Sequence, residues 1–179
     1  FFQAECKNIG ITLPDRGRFA VGNVFLSQKE SAKCQEIMEH AVQSEGLQFL
    51  GWRDVPVDNL TIGVTARSAE PVIKQIFIGS TSKIKDQLIF ERKIYCVRKR
   101  AAWSVRRAGL KNNNENFYIC SLSSKTIIYK GQLMAPQLET YYLDLKNPEM
   151  VSALALAHSR YSTNTFPSWG RAQPFRYIC

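Results

Sequence analysis

The sequence contains few potential metal ligands and no long apolar run. Five Cys and two His occur in 179 residues, and no two Cys are spaced as C-x-x-C, so neither a zinc site nor a small disulfide scaffold is indicated. No stretch approaches the ~20 consecutive apolar residues of a membrane helix. The glycine-rich phosphate loops, the H-E-x-x-H zinc motif and the G-x-S-x-G nucleophile motif are also absent. We therefore expect a soluble protein with reduced thiols, as in the cytoplasm, and no metal or membrane contact.

The composition is that of an ordinary globular domain. Hydrophobic residues make up 45% of the chain and charged residues 22%. A chain of this length buries roughly 70% of its unfolded surface, which is enough for a hydrophobic core. It begins with Phe1 rather than Met, and its first residues do not have the pattern of a signal peptide, so we expect both ends to be cuts within a longer protein.

Positive charge is concentrated in one segment. Residues 83–111 hold ten Lys or Arg against two acidic residues, which is +8 of the net charge of +9. Apolar residues recur in this segment at the spacing of one helical face, at Phe90, Ile94, Val97, Ala101 and Val105. We favour a solvated helix face, because such a face needs no partner. A phosphate-binding surface is the alternative.

Hydrophobic patterns predict the order of the secondary structure. Strands are predicted at 19–26, 47–55, 72–78 and 117–120. One helix lies between a capping box at Ser27 and Glu30 and a stop at Gly46, and the basic helix ends at Gly109. The order strand, helix, strand, strand, helix, strand predicts a ferredoxin-like βαββαβ subdomain over residues 19–121. Residues 1–18 precede this subdomain, and 122–179 form a further segment.

The segment after the subdomain is predicted to contain three elements. A strand is expected at 126–130, a short helix at 136–142, and a weakly alternating apolar strand at 151–159. Polar side chains crowd together where this last strand ends, which is a common construction for the loop of an active site.

Residues 158–169 carry side chains that suit a small zwitterionic ligand. Arg160 offers a planar fork that binds a carboxylate through two parallel hydrogen bonds, which a lysine cannot reproduce. Thr163 and Asn164 can pair with the remaining oxygens or with an ammonium. A structural ion pair in an ordinary turn is the alternative, because Ser, Thr and Asn are frequent in loops.

The same residues resemble a known family. The run 158–169, followed by Ala-Gln-Pro-Phe-Arg at 172–176, is similar to the class II glutamine amidotransferase domain of the glutamate synthase large subunit. The stretches 18–22, 91–95 and 123–131 are similar to parts of that family in the same order, so the resemblance covers nearly the whole chain.

The resemblance implies a fold, a reaction and a substrate. The fold is the N-terminal-nucleophile hydrolase sandwich, an αββα arrangement of two antiparallel sheets, here partial and carrying the ferredoxin-like subdomain as an insertion. An N-terminal cysteine with its own α-amine as base hydrolyses glutamine to glutamate and ammonia. In the parent enzyme the ammonia aminates 2-oxoglutarate, with electrons supplied through FMN and an iron–sulfur cluster. Arg160 matches the arginine that binds the glutamine α-carboxylate, and Thr163 and Asn164 match positions lining the same pocket.

The chain departs from the family pattern at both ends. Phe1 is not the nucleophilic cysteine, and Cys6 lacks the small-residue context of that nucleophile. The family's oxyanion-hole segment, His-Asn-Gly, would follow Cys179. No catalytic residue is therefore expected within the chain, and we expect it to be inactive alone. Its expected partners are glutamine and the remaining domains of the parent, located in the cytoplasm or, in a photosynthetic eukaryote, the plastid stroma.

Two alternative functions remain at this stage. One is a non-catalytic ligand-binding or regulatory domain of the same fold. The other is an RNA-binding module, because a ferredoxin-like order with a basic helix is typical of such modules. The closest approach to their basic-Gly-aromatic signature, at residues 16–19, precedes the first strand rather than lying on the third. We therefore expect no nucleic-acid partner.

Overall fold

The computed structural model describes residues 1–110, 117–160 and 164–174. Its strands are β1 (Phe19–Leu26), β2 (Gln48–Asp54), β3 (Val72–Gly79) and β4 (Phe117–Ile119). Its α-helices are α1 (Phe2–Asn8), α2 (Ser31–Ser44), α3 (Val64–Ser68), α4 (Gln87–Arg107) and α5 (Gln137–Tyr141). Single turns of 3-10 helix lie at Asn59–Thr61 and Leu143–Lys146.

The four strands form one antiparallel sheet in the order β2-β3-β1-β4. The β1–β3 pair runs without interruption from Phe19 opposite Gly79 to Leu26 opposite Val72. β2 contains a bulge between Phe49 and Gly51. The described part of the chain is thus a mixed α/β structure with one antiparallel sheet. The predicted order strand, helix, strand, strand, helix, strand is observed over residues 19–119, with the short helix α3 added between β2 and β3.

Side chains alternate between the two faces of the sheet, as the period of a strand requires. Ala20, Val24 and Leu26 face α2 and α4, and these elements together build the largest core cluster. The apolar stripe predicted on α4 is confirmed, because all five of its side chains are buried in this cluster.

The other face of the sheet is covered by the two ends of the chain. α1 buries Cys6 against Val21 and Phe77. Residues after β4 bury Tyr141, Tyr142 and Trp169 in a second cluster. Both ends of the described chain therefore pack on the sheet, while the boundaries at 18 and 121 stay predictions.

Helix ends agree with the predictions except at the start of α2. Gly46 and Gly109 follow α2 and α4 with φ of +68° and +71°, which glycine adopts without strain. The capping box at Ser27 and Glu30 is wrong. α2 begins at Ser31, and the Ser27 hydroxyl instead accepts from the Lys29 amide at 3.3 Å. A local turn therefore precedes the helix.

The two strands predicted after β4 are also wrong. At 126–130 the backbone bonds to side chains instead of a neighbouring strand: the Ile128 amide donates to Ser121 Oγ at 3.0 Å, and its carbonyl accepts from Asn23 Nδ2 at 2.8 Å. Residues 151–160 have no regular structure, and every one of them is exposed. A strand needs a neighbour for its backbone groups, and this run pairs with none of the described strands.

Candidate functional site

The predicted ligand-binding residues lie on an exposed segment. Arg160 and Asn164 are both exposed, and Thr163 falls outside the described residues. The imidazole of His158 contacts the backbone oxygen of Arg160. The guanidinium of Arg160 is open to solvent and has no acidic partner among the residues that the structure describes.

The chain that follows this exposed segment is firmly anchored by Trp169. Its indole is 2% exposed and packs edge-on against Phe25, with ring centroids 5.8 Å apart. Its Nε1 donates to the carbonyl of Ala66 at 2.9 Å. Gly131 lies against the same ring, where a Cβ would come within 2.5 Å of Cζ3. Trp169 therefore sets the position at which the polar segment leaves the core.

The buried ammonium group of Lys130 binds the turn that follows Trp169. Lys130, only 2% exposed, donates through Nζ to the carbonyls of Ala172 at 2.7 Å and Gly170 at 3.0 Å. It also donates to the Tyr118 hydroxyl at 3.2 Å and lies 4.3 Å from the centre of that ring. The backbone groups of residues 170–172 therefore have a fixed partner inside the core.

A buried ionic network anchors the chain ahead of the exposed segment. Arg53 donates from both terminal nitrogens to the two oxygens of Asp144, at 2.9 and 2.8 Å. The same guanidinium donates to Gln75 at 2.9 Å and to Glu5 at 2.8 Å. Asp144 also accepts from the Tyr129 hydroxyl at 2.8 Å. α1, two strands and the 3-10 turn Leu143–Lys146 are thereby joined at one point.

Burial and nearby charges determine the protonation states of Arg53, Tyr129 and Tyr141. Burial opposes the charged form of Arg53, but its hydrogen bonds and ion pairs to Asp144 and Glu5 outweigh that effect and raise its pKa. Burial also raises the pKa of Tyr129, helped by the charge of Asp144, and that of Tyr141, helped by Glu70. The phenols therefore stay neutral, and the network is a structural support rather than an acid–base pair.

Cys6 does not have the properties of a nucleophile. It is fully buried, and burial raises the pKa of its thiol from 9.0 to about 11, although Arg53 acts in the opposite direction. The thiolate is the reactive form, so this cysteine is unreactive near neutral pH.

A cavity of about 580 Å³ opens between the end of β1 and the start of α2. Its lining includes Glu30, Cys34, Glu70 and Leu110, and neither Arg160 nor Asn164. Burial raises the pKa of Cys34 to about 11 as well, so the cavity contains no activated thiol.

The described cysteines do not fit an iron–sulfur cluster. Cys6, Cys34 and Cys120 lie in three different core clusters, and Cys96 is exposed on α4. Over residues 1–110, 117–160 and 164–174, no group of three or more His, Cys, Asp or Glu could hold a metal ion. Within the same ranges, no helix combines the length and apolarity needed to cross a membrane.

Comparison with known proteins decides the family. The sequence model of the glutamine amidotransferases class-II matches residues 1–179. The chain belongs to the class II glutamine amidotransferases. This amidotransferase chain is 49% identical to the glutamate synthase [NADPH] large chain of Bacillus subtilis, over 99% of its own length and 11% of that protein. It is 45% identical to glutamate synthase [NADH] of Schizosaccharomyces pombe, over 98% of its length and 8% of that protein.

The similarity extends to a third class of glutamate synthase. The ferredoxin-dependent glutamate synthase 1, chloroplastic/mitochondrial, of Arabidopsis thaliana is 37% identical over 99% of the amidotransferase chain and 11% of that protein. The chain spans about a tenth of the length of the curated relatives that it matches.

Sequence patterns did not reveal the residues that hold the candidate site in place. Arg53 and Asp144 are 91 positions apart, and Lys130 and Ala172 are 42 apart. The apolar Trp169 in a polar turn was the one local signal, since a large aromatic residue is usually at least partly buried.

Proposed function

We propose that this chain is the part of a glutamine amidotransferase domain that binds the amino-acid head group of glutamine, within a larger glutamate synthase. The observation that carries the proposal is the match of the class II family to all 179 residues, together with identities of 37–49% to glutamate synthases. Glutamine is hydrolysed to glutamate and ammonia in this proposal, and the ammonia aminates 2-oxoglutarate elsewhere in the protein.

We assign the glutamine α-carboxylate to Arg160. A guanidinium and a carboxylate match in shape, and their two parallel hydrogen bonds fix the orientation of the ligand as well as its charge. Thr163 and Asn164 supply the neutral polar groups beside it. The exposure of Arg160 supports this role, because a guanidinium already paired to a buried acid would not be available to a ligand.

The rigid supports on either side of the exposed segment are consistent with a binding role. Asp144 fixes the chain before it and Trp169 and Lys130 fix the chain after it. Between those supports, Arg160 and Asn164 are exposed and accessible to a ligand. The loop of a binding site is commonly carried by a rigid frame in this way.

We also propose the finer fold that the family implies. In this proposal residues 122–179 belong to the αββα sandwich, and the sheet of residues 19–119 belongs to a ferredoxin-like insertion. The exposure of Val151, Leu154 and Leu156 supports this assignment, because an apolar run of that kind is normally covered. The FMN and iron–sulfur cluster of a glutamate synthase would lie in other domains.

The test is Arg160→Lys in the natural full-length protein, assayed for glutamine hydrolysis. Lysine keeps the charge but loses the two-point contact, so KM for glutamine should rise at least tenfold, with kcat changed much less. Arg171→Lys is the matched control, since Arg171 is exposed on the same segment. An unchanged KM, or an equal rise in both variants, would remove Arg160 from the site.

A further inference from the structure

The outer face of α4 combines cations with large apolar side chains. Exposed residues recur there at spacings of four, three, four, four and three, which keeps them on one side of the helix. We call this set the α4 outer stripe; it consists of Leu88, Arg92, Tyr95, Lys99, Trp103 and Arg106. Its three cations are seven residues apart, or about 10.5 Å along the helix.

Other basic residues of α4 are used inside the protein. Arg98 is buried and donates to the Ile119 carbonyl at 2.7 Å. Lys93 donates to the Glu45 carbonyl at 2.7 Å, and Arg100 pairs with the Glu45 carboxylate at 2.8 Å. These contacts hold α4 to the end of α2 and to β4. They account for part of the positive charge of residues 83–111 without a partner outside the chain.

The cations of the α4 outer stripe have no such role. The side chains of Arg92, Lys99 and Arg106 make no hydrogen bond or ion pair with any residue in the described part of the chain. The large apolar side chains of the stripe are also exposed: Leu88 and Trp103 are each 55% exposed, and Tyr95 is 47% exposed. A face that only meets water does not need a Trp and a Tyr, whereas Trp, Tyr and Arg dominate the binding energy of protein interfaces.

The positive charge of the α4 outer stripe limits the kinds of partner that can bind to it. A second copy of the chain is disfavoured, because each copy carries a net charge of +9. A nucleic acid fits less well, since one face of the Trp103 ring is covered by the Arg107 guanidinium at 5.1 Å and Leu88 offers nothing to a phosphate. A helix with a carboxylate at every seventh position matches both the sign and the spacing of the cations.

We propose that the α4 outer stripe docks an acidic amphipathic helix of a protein partner. Carboxylates seven residues apart pair with Arg92, Lys99 and Arg106, and apolar side chains between them cover Leu88, Tyr95 and Trp103. This surface is independent of the glutamine site, so the proposal stands or fails separately from the assignment of Arg160.

The probe is a synthetic helical peptide of 21 residues with Glu at every seventh position and Leu between successive Glu. Its binding to the natural full-length protein is measured by calorimetry at 150 mM salt, where distant charges are largely screened (the Debye length is about 8 Å). We expect micromolar affinity. The variant Arg92→Glu, Lys99→Glu, Arg106→Glu should weaken binding at least twentyfold.

Matched variants separate the stripe from net charge. Lys29→Glu, Lys33→Glu, Lys125→Glu makes the same change in charge at exposed lysines that are not part of α4 and should weaken binding less than threefold. Trp103→Ala should weaken it about tenfold, while Leu60→Ala, at another exposed apolar residue, should have no effect. Unfolding curves check that every variant is folded.

Three results would overturn the proposal. The first is equal weakening by both charge-reversal variants, which would mean binding to net charge alone. The second is tighter binding of a 20-nucleotide single-stranded RNA than of the peptide, with the same dependence on the stripe, which would make the surface a nucleic-acid site. The third is no measurable binding of the acidic peptide.

Discussion

Removal of the Asp144 carboxylate should destabilise the protein more than removal of any surface acid. Asp144 is 3% exposed and accepts two hydrogen bonds from the Arg53 guanidinium, one from the Tyr129 hydroxyl and one of 3.4 Å from the Gln75 amide. The change Asp144→Ala deletes all four and leaves a buried guanidinium with Glu5 as its one acidic partner among the described residues. We therefore expect the free energy of unfolding to fall sharply.

The magnitude follows from the penalty for a buried charge. Loss of one partner of a buried ion pair typically costs about 3–5 kcal/mol, because the remaining charge stays out of water without compensation. Asp54 provides a matched control. It pairs with Lys74 at 2.6 Å but is 78% exposed, and pairs of that kind contribute about 0–1 kcal/mol.

Urea unfolding of the chain, followed by circular dichroism, measures both variants. We expect Asp144→Ala to lose at least 3 kcal/mol and Asp54→Ala to lose less than 1 kcal/mol, with similar m values. The double variant Arg53→Met, Asp144→Leu should lose less than the sum of the two single changes, because the one charge that then loses its partner, Glu5, is 31% exposed and can be solvated. Equal losses in Asp144→Ala and Asp54→Ala would refute the structural role of the network.

Two further predictions concern packing and pH. Gly131→Ala should destabilise the protein by about 1–3 kcal/mol and change the near-ultraviolet dichroism of Trp169, because a Cβ at position 131 would overlap the indole ring. Gly63→Ala is the control and should change neither property, because a Cβ at position 63 would have no atom within 4 Å. An unchanged stability in Gly131→Ala would contradict the packing of Trp169 on Gly131. Stability should fall as pH rises from 9 to 11. The thiols of Cys6 and Cys34 have a pKa of about 11 in the folded protein, whereas thiols in the unfolded chain ionise near pH 9.0. Each thiol therefore contributes roughly 2–3 kcal/mol to the free energy of unfolding, and this contribution is lost between pH 9 and pH 11. Chemical unfolding at pH 8 and at pH 11 measures the loss. A flat profile would show that these thiols are not buried.

The sheet and its two long helices could be predicted because each has a clear local pattern. The apolar run of β1 predicts a strand, which the structure buries on both faces, and the apolar stripe of α4 predicts one buried helix face, which the structure also buries. Glycines at 46 and 109 marked helix ends for a steric reason that is independent of the rest of the chain. Apolar patterns and helix-ending glycines depend only on residues close together in the chain, so they can be read directly from the sequence.

The errors arose where long-range contacts override local preference. Residues 126–130 are rich in strand formers, yet Asn23 and Ser121 provide the partners for the Ile128 backbone. The network of Arg53, Gln75 and Asp144 brings together residues that no periodic pattern connects. Arg160 could be singled out by its chemistry and by the family resemblance, but its surroundings depend on groups distant in sequence.

The most direct test of the assigned function is the position of the Arg160 guanidinium in a crystal structure of the natural full-length protein with glutamate bound. We expect both terminal nitrogens of Arg160 to lie about 2.8 Å from the two oxygens of the ligand α-carboxylate, with Asn164 in the same pocket. A bound glutamate whose α-carboxylate lies on a different cation, with the Arg160 side chain still in solvent, would contradict the assignment.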